Sequence, residues 1–273
     1  MKLLVHQHIY YHDQVDYIIN KLSHIVDCDW DLYVTYSDYN EETEQKIKNF
    51  KSDAFFIKVK NVGYDIWPFI IVLRAVYLEK YNYVLKLHKK NFYKKEIIYN
   101  DLKTINYGWR NTLYDTYLYS KRIFKHNIAR LTKNPNLGII VNKNFFLQFG
   151  KYCNLNLPEE TYLMDALKTR LGINSDYDKF VAGTMFMARA DIFEKLRNSD
   201  IDEEDFSLES KTNITGSMAH VIERVFCILA DDKGYKIDIV QSKSKHDKFF
   251  SRIFQFIILK IKNIRLFKFL GLN

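Results

Sequence analysis

Cysteine, proline and glycine are all scarce in this chain of 273 residues, which has three Cys, three Pro and nine Gly. Cys28, Cys153 and Cys227 are odd in number and far apart. They offer neither a disulfide framework nor a Cys/His spacing for zinc, so a reducing compartment is expected. So little proline and glycine argues against long disordered linkers. Long apolar runs are also missing, and the longest fall far short of the ~20 residues a spanning helix needs. Residues 1–30 do not read as a signal peptide, because His6, Gln7 and His8 break the first apolar run too early. These absences predict a soluble or peripheral protein.

What is present suffices for a large core. The chain is 47% hydrophobic and 16% aromatic, enough for one large α/β domain or a domain with an appendage. Its formal charge of +8 is unevenly placed: from Lys243 onward eight basic residues face a single Asp247, so the body is close to neutral. This distribution argues against nucleic-acid binding. In the segment 243–273, Phe250, Ile253, Phe254, Ile257, Ile261 and Ile264 share one face of a helical period, with Arg252, Gln255, Lys262 and Asn263 roughly opposite. A basic, aromatic-rich amphipathic helix of this kind suits an anionic membrane surface. A terminal helix packed on the body is the other reading. The expected division is a body over 1–242 and a docking tail over 243–273.

Along the body, strand-like and helix-like stretches alternate. KLLVHQHIY, DLYVTYSD, AFFIKVKNVG, YVLKLHKK, LGIIVN and KIDIVQ read as strands. QVDYIINKLSHIV, EETEQKIKNF, PFIIVLRAVYLEKY, PEETYLMDALKTRLG and TGSMAHVIERVFCILADDKG read as helices, and KFVAGTMFMARADIFEKLR as strand then helix. A helix-rich, Tyr-laden region fills the interval to about residue 130. This order predicts a mainly parallel sheet flanked by helices, with ligands at the carboxyl ends of its strands.

Three strand ends carry polar punctuation. Asn61, Gly63 and Asp65 stand directly before a helix, whose N-terminus suits either a phosphate or capping by Asp65. Lys86, His88 and Lys90 alternate, so they share one face of an extended chain and gather positive charge at a strand mouth. Gly183 and Thr184 interrupt an apolar strand, as glycine does where a ligand or another backbone comes close. Further on, His220, Glu223, Arg224 and Cys227 fall along one face of a helix, and His220 and Glu223 are spaced to meet. Each pattern also fits a plain turn, a solvated strand end or a polar helix stripe.

In their order NVGYDIWPF, VLKLHKK, WR, LGIIV, FVAGTMFMAR and AHVIERVF, these blocks resemble the rhamnan synthesis protein F family. The resemblance runs from about His6 to about Ile239, and Tyr64 stands where an arginine-type residue is familiar. It implies a GT-A-like, Rossmann-type glycosyltransferase of capsule, O-antigen or cell-wall polysaccharide synthesis. The donor would be dTDP-rhamnose or a UDP-sugar such as UDP-galactofuranose, and the acceptor a lipid-linked saccharide at the cytoplasmic face of the membrane. His8, Asn61, Gly63, Asp65, His88, Lys90 and Arg110 would bind the donor, and Gly183, Thr184, Met185 and Arg224 would line the junction with the acceptor. His220 or Glu223, with Asp65 in competition, would be the base of an inverting transfer. No divalent metal is expected, because Leu87-His88-Lys89-Lys90 stands where many such enzymes carry Asp-x-Asp. The alternative is a non-catalytic sugar- or nucleotide-binding component of a polysaccharide assembly complex.

Overall fold

The computed structural model describes residues 1–88, 97–99, 102–104, 108–149, 158–206 and 217–242. The strands are β1 (Lys2–Ile9), β2 (Asp29–Tyr36), β3 (Phe55–Lys58), β4 (Tyr83–His88), β5 (Ile97–Tyr99), β6 (Leu102–Thr104), β7 (Leu137–Asn142), β8 (Phe146–Gln148), β9 (Lys179–Val181), β10 (Phe186–Arg189) and β11 (Lys236–Val240). The helices are α1 (Val15–Leu22), α2 (Glu41–Phe50), α3 (Ile66–Ala75), α4 (Gly108–Leu118), α5 (Lys121–Lys133), α6 (Pro158–Arg170), α7 (Glu194–Arg197) and α8 (Met218–Asp232).

Local chemistry sets several of these boundaries. Asn40 caps α2 by accepting from the Thr43 amide at 2.8 Å, and Glu41, Glu42 and Glu44 complement the dipole in its first turn. Ser120 caps α5 in the same way through the Ile123 amide. In α1 the buried Val15, Ile18 and Leu22 form the apolar stripe that seats the helix.

Seven strands form one sheet in the order β11-β7-β10-β4-β1-β2-β3. All neighbours run parallel except β10, which is antiparallel to both β4 and β7. The sheet is therefore mixed rather than simply parallel. The reason lies in one stretch that reads as a single strand in the sequence. At Gly183 (φ 90°) and Thr184 (φ 52°) the chain turns sharply. Its first half, β9, pairs with β8 in a separate ribbon, and its second half, β10, inserts into the central sheet. The interval after β4 also departs from expectation: β5 and β6 pair as a hairpin before α4 begins.

Helices cover both faces. Leu4 and Val84 pack with α3, α7 and α8 in one core that includes Phe69, Phe186, Phe193 and Phe226. Leu3, Val5, Leu85 and Leu87 pack with α1, α4 and α5 in the other. This period-2 division places residues 4, 6 and 8 of β1 and residues 84, 86 and 88 of β4 on the face toward α3 and α8. From β1 the chain proceeds to β2 and β3 on one side and returns to β4 on the other. The strand order thus reverses between β1 and β4, and the carboxyl ends of two such strands are where open α/β sheets form a ligand crevice. Among the described residues no helix is long and apolar enough to cross a membrane. The expected tail helix lies outside the described residues.

Candidate active site

The crevice between β1 and β4 is lined by residues whose chemistry does not belong in an apolar core. His6 stands opposite Lys86, and His8 opposite His88, in the parallel register of the two strands. Lys86 and His6 are fully buried, and His8 and His88 nearly so. The Lys86 ammonium lies over the rings of Phe69 and Phe226, at 5.5 and 5.9 Å from their centroids. Its charge is met by Asp65, at the entry to α3, with which it forms a buried ion pair.

Around this pair the network closes. Lys86 Nζ also donates to the Thr184 carbonyl at 3.1 Å, and the Thr184 hydroxyl donates to the Asp65 carboxylate. His88 Nε2 lies 2.7 Å from the Gly183 carbonyl and 3.0 Å from Thr184 Oγ1, while its Nδ1 faces Asp65 Oδ1 at 3.5 Å. A carbonyl only accepts, so Nε2 carries the proton. Burial works against a charged carboxylate, but His88, Lys86 and the Thr184 hydroxyl together hold Asp65 far below the usual carboxylate range. Locked as an anion, it makes a poor proton acceptor. Nor does it cap α3, since its side chain makes no bond to the helix's first amides.

The two turns that meet here are built alike. Gly63 and Tyr64 have φ of 62° and 53°, and Gly183 and Thr184 follow the same left-handed pattern. For a non-glycine residue this conformation costs about 1–2 kcal/mol. Gly63 is required twice over, because a Cβ there would sit 2.6 Å from the Phe206 ring. The second turn is tied to α8 by Glu223 Oε1, which accepts from the Gly183 amide at 2.6 Å. His220, one turn earlier on α8, places Nδ1 at 2.7 Å from Ser217 Oγ and stands edge-on to Tyr64.

The remaining expected residues divide. Asn61 donates to the Tyr10 hydroxyl at 3.5 Å on the exposed rim. Arg110 is placed on the other face of the sheet, with its guanidinium 3.7 Å from the Tyr17 ring centroid. Met185 is fully buried on that same face and does not line the junction. Arg224 and Cys227 are buried too, Arg224 over Phe180 and bonded to the His220 carbonyl. Burial pushes the Cys227 thiol up to about 12. The expected polar stripe therefore reduces to His220 and Glu223, because α8 packs in the core on nearly every side. Lys90 lies outside the described residues.

Two features were missed in the sequence. In the alternation Lys86 reads only as one cation of a strand mouth, although a lysine on the side of β4 shared with Val84 must be buried and paired. The second is a narrow crevice beside the start of α2, lined by Ile9, His12, Tyr36, Tyr39, Asn40, Thr43 and Phe56. Tyr36 and Tyr39 are paired there with ring centroids 6.0 Å apart, at the carboxyl end of β2. The tyrosine repeat in YVTYSDYN was its available signal.

The family model for rhamnan synthesis protein F matches residues 1–235. The chain belongs to that family. The match takes in every element that builds the crevice and stops before the basic segment. Among solved structures the chain resembles the 1–349 fragment of S. aureus TarS, with a TM-score of 0.48, 11% identity, and coverage of 89% of this chain and 59% of that one. It also resembles glucosyl-3-phosphoglycerate synthase from Mycobacterium tuberculosis, with a TM-score of 0.40, 12% identity, and coverage of 92% and 76%. Likenesses at this level carry no argument about function. No curated protein matches the chain.

Two expectations follow from the buried network. Lys86→Met leaves the Asp65 carboxylate buried against His88 and the Thr184 hydroxyl, without the ammonium, and unfolding free energy should fall by about 3–5 kcal/mol. The Asp65→Asn/Lys86→Met double variant should lose less than the sum of the two single changes in urea denaturation; strict additivity would refute the coupling. The second concerns pH. Burial pushes His8 from the usual 6.5 down to about 4, and burial with Lys86 nearby holds His6 well below its usual value. Both must stay neutral in the fold, whereas the unfolded chain protonates them. Stability is then full above the unfolded value and is lost as pH falls from about 6.5 toward 4, with about 3 kcal/mol from His8 at the low end. Asp65 is depressed, so its contribution persists through this window and fades only below its unfolded value of 3.8. Urea denaturation at pH 7.5 and 4.5 should show the loss, and His8→Gln should reduce it; a flat profile would contradict it.

Proposed function

We propose that this protein is a glycosyltransferase of polysaccharide synthesis that takes its sugar from a nucleotide-diphosphate donor bound at the β1/β4 crevice. One observation carries the reading. In a member of the rhamnan synthesis protein F family, the polar network of Asp65, Lys86, His88 and Thr184 sits at the reversal of strand order, with His220 and Glu223 brought to its edge. Open α/β sheets bind ligands at such a position. The donor is dTDP-rhamnose or a UDP-sugar, and the acceptor is a lipid-linked saccharide.

In the proposed reaction an acceptor hydroxyl attacks the anomeric carbon from the face opposite the diphosphate. The bond from that carbon to the diphosphate oxygen breaks, and the nucleoside diphosphate leaves with the electron pair. His220 takes the proton. Its Nδ1 lies 2.7 Å from Ser217 Oγ, a contact that orients the imidazole. Glu223 serves by holding the Gly183 amide in place, and Asp65 by fixing the two turns. A protonated His88 together with Lys86 would outnumber the Asp65 carboxylate, and that excess of positive charge would favour negative charge developing on the leaving group. A divalent metal fits this end of β4 poorly, since the groups it presents on the site face are Lys86 and His88. Among the described residues no group of three or more His, Cys, Asp or Glu is placed to hold a metal ion.

The segment 243–273 is proposed as a docking tail that keeps the site near membrane-borne acceptor on the inner face of the cell membrane.

Two experiments test these readings. Nucleotide sugars screened by thermal shift should raise Tm equally with and without EDTA, and transfer should then be measured with the stabilising donor. His220→Gln should lower kcat by at least about 100-fold, with a smaller effect from Glu223→Gln. Full transfer by both variants would remove α8 from the chemistry, and donor binding without transfer would mark a binding component. For the tail, truncation at residue 242 should abolish flotation with anionic liposomes while leaving the Tm of the body unchanged. Undiminished flotation would overturn the docking role.

A further inference from the structure

Helix α5 carries more positive charge than its place in the fold uses. Its sequence, KRIFKHNIARLTK, holds Lys121, Arg122, Lys125, Arg130 and Lys133 and no acidic residue. Lys125 pairs with Asp27, and Arg130 with Asp238 of β11. Lys121, Arg122 and Lys133 are exposed, and among the described residues no ion pair engages them. Lys121 and Arg122 also stand in the first turn, at the positive end of the helix dipole. The first turn of α2 shows the favourable arrangement, with Glu41, Glu42 and Glu44. In α5 the same position costs stability. Beside the helix runs an open groove of about 330 Å³. Met1, Val26, Phe124 and Ile128 make it largely apolar, and Asp27, Lys125 and Lys133 are its charged members. The Arg130–Asp238 pair ties α5 to β11, and the chain enters its second basic stretch, 243–273, just after that strand.

We infer that α5 is a second contact with an anionic membrane, made by the body of the protein itself. Phospholipid headgroups meet Lys121, Arg122 and Lys133, and hydrocarbon enters the groove beside them. The inference extends the membrane-docking reading above to residues outside the tail. A positive face next to an apolar groove is complementary to an anionic amphiphile, which carries charge and hydrocarbon together. A nucleic acid offers the charge and leaves the groove bare. The spacing also favours a surface over one bound phosphate, since Lys121 and Lys133 stand about 18 Å apart along the helix. Stable attachment to a membrane generally takes two signals, and a basic tail alone is one.

The test measures partition of the full-length chain onto phosphatidylcholine vesicles with and without phosphatidylglycerol. One variant is Lys121→Gln/Arg122→Gln/Lys133→Gln. The second is Ala129→Glu, which puts a carboxylate beside the groove, four residues from both Lys125 and Lys133. Both should keep the Tm of wild type, since the first relieves the dipole conflict and the second adds helical ion pairs. A tail variant, Lys260→Gln/Lys262→Gln/Arg265→Gln/Lys268→Gln, is measured alongside. The triple variant should bind anionic vesicles about 100-fold more weakly at low salt, at roughly fivefold per cation. Ala129→Glu should also weaken binding, and partition onto neutral vesicles should not change in either. Wild-type partition by the triple variant overturns the α5 contact, and weakened binding by the tail variant then leaves the tail standing. Weakened binding by the triple variant with none lost in the tail variant supports α5 and removes the tail. Undiminished binding by Ala129→Glu overturns the part given to the groove. Tighter binding of wild type to duplex DNA than to anionic vesicles, lost in the triple variant, assigns the face to nucleic acid and overturns the inference. Failure of wild type to bind anionic vesicles overturns both contacts.

Discussion

A lysine ammonium buried without a partner costs several kcal/mol, and Lys86 has no exposed surface at all. Its pairing with Asp65 is the interaction on which the rest of the site depends. The pair draws the start of α3 onto β4. It also draws in Thr184, whose carbonyl takes a lysine proton and whose hydroxyl reaches the same carboxylate. Two glycine-led turns from distant parts of the chain are thus held face to face. His88 and Glu223 then fix the second turn from either side, through the Gly183 carbonyl and amide. Such an arrangement is costly for a core to hold, because one carboxylate faces two basic groups and two residues adopt strained backbone. The aromatic floor of Phe69, Phe186, Phe193 and Phe226 supplies the packing that sustains it.

That balance clarifies what each charged group can do. A carboxylate held as firmly anionic as Asp65 organises its surroundings instead of exchanging protons with a substrate. His6 and His8, kept neutral by burial, act as hydrogen-bonding groups; both ring systems meet the Thr35 hydroxyl, at 2.8 and 2.9 Å. In the proposed reaction proton transfer falls to the rim, and His220 is one of the groups there.

The sequence was most readable where a single periodicity decides an element. β1, β2, β4, β7 and β11 and helices α1, α2, α3 and α8 follow their apolar patterns closely. It misled where one apolar run serves two sheets. FVAGTMFMAR reads as a continuous strand, yet a two-residue turn sends its halves into different sheets and makes the central sheet mixed. Cys227 and Arg224 looked like parts of a polar stripe, but α8 is packed on both flanks, and burial there depends on neighbours that no helical wheel contains. The family resemblance implies a junction role for Met185 beside Thr184. The alternation of a strand sends its side chain to the opposite face.

The sequence alone determined the alternation of strands and helices, the family, and the residue types at three strand ends. These are local matters, set by period, turn chemistry and short motifs. Only the tertiary structure decided that the three ends meet, that Lys86 faces inward to Asp65, and that Arg110 stands on the far face of the sheet. Those outcomes depend on strand order and register, which bring together residues as far apart as Asp65, Lys86, Thr184 and Glu223. Charge pairing in a buried space is a property of the assembled neighbours, and a linear pattern does not specify it.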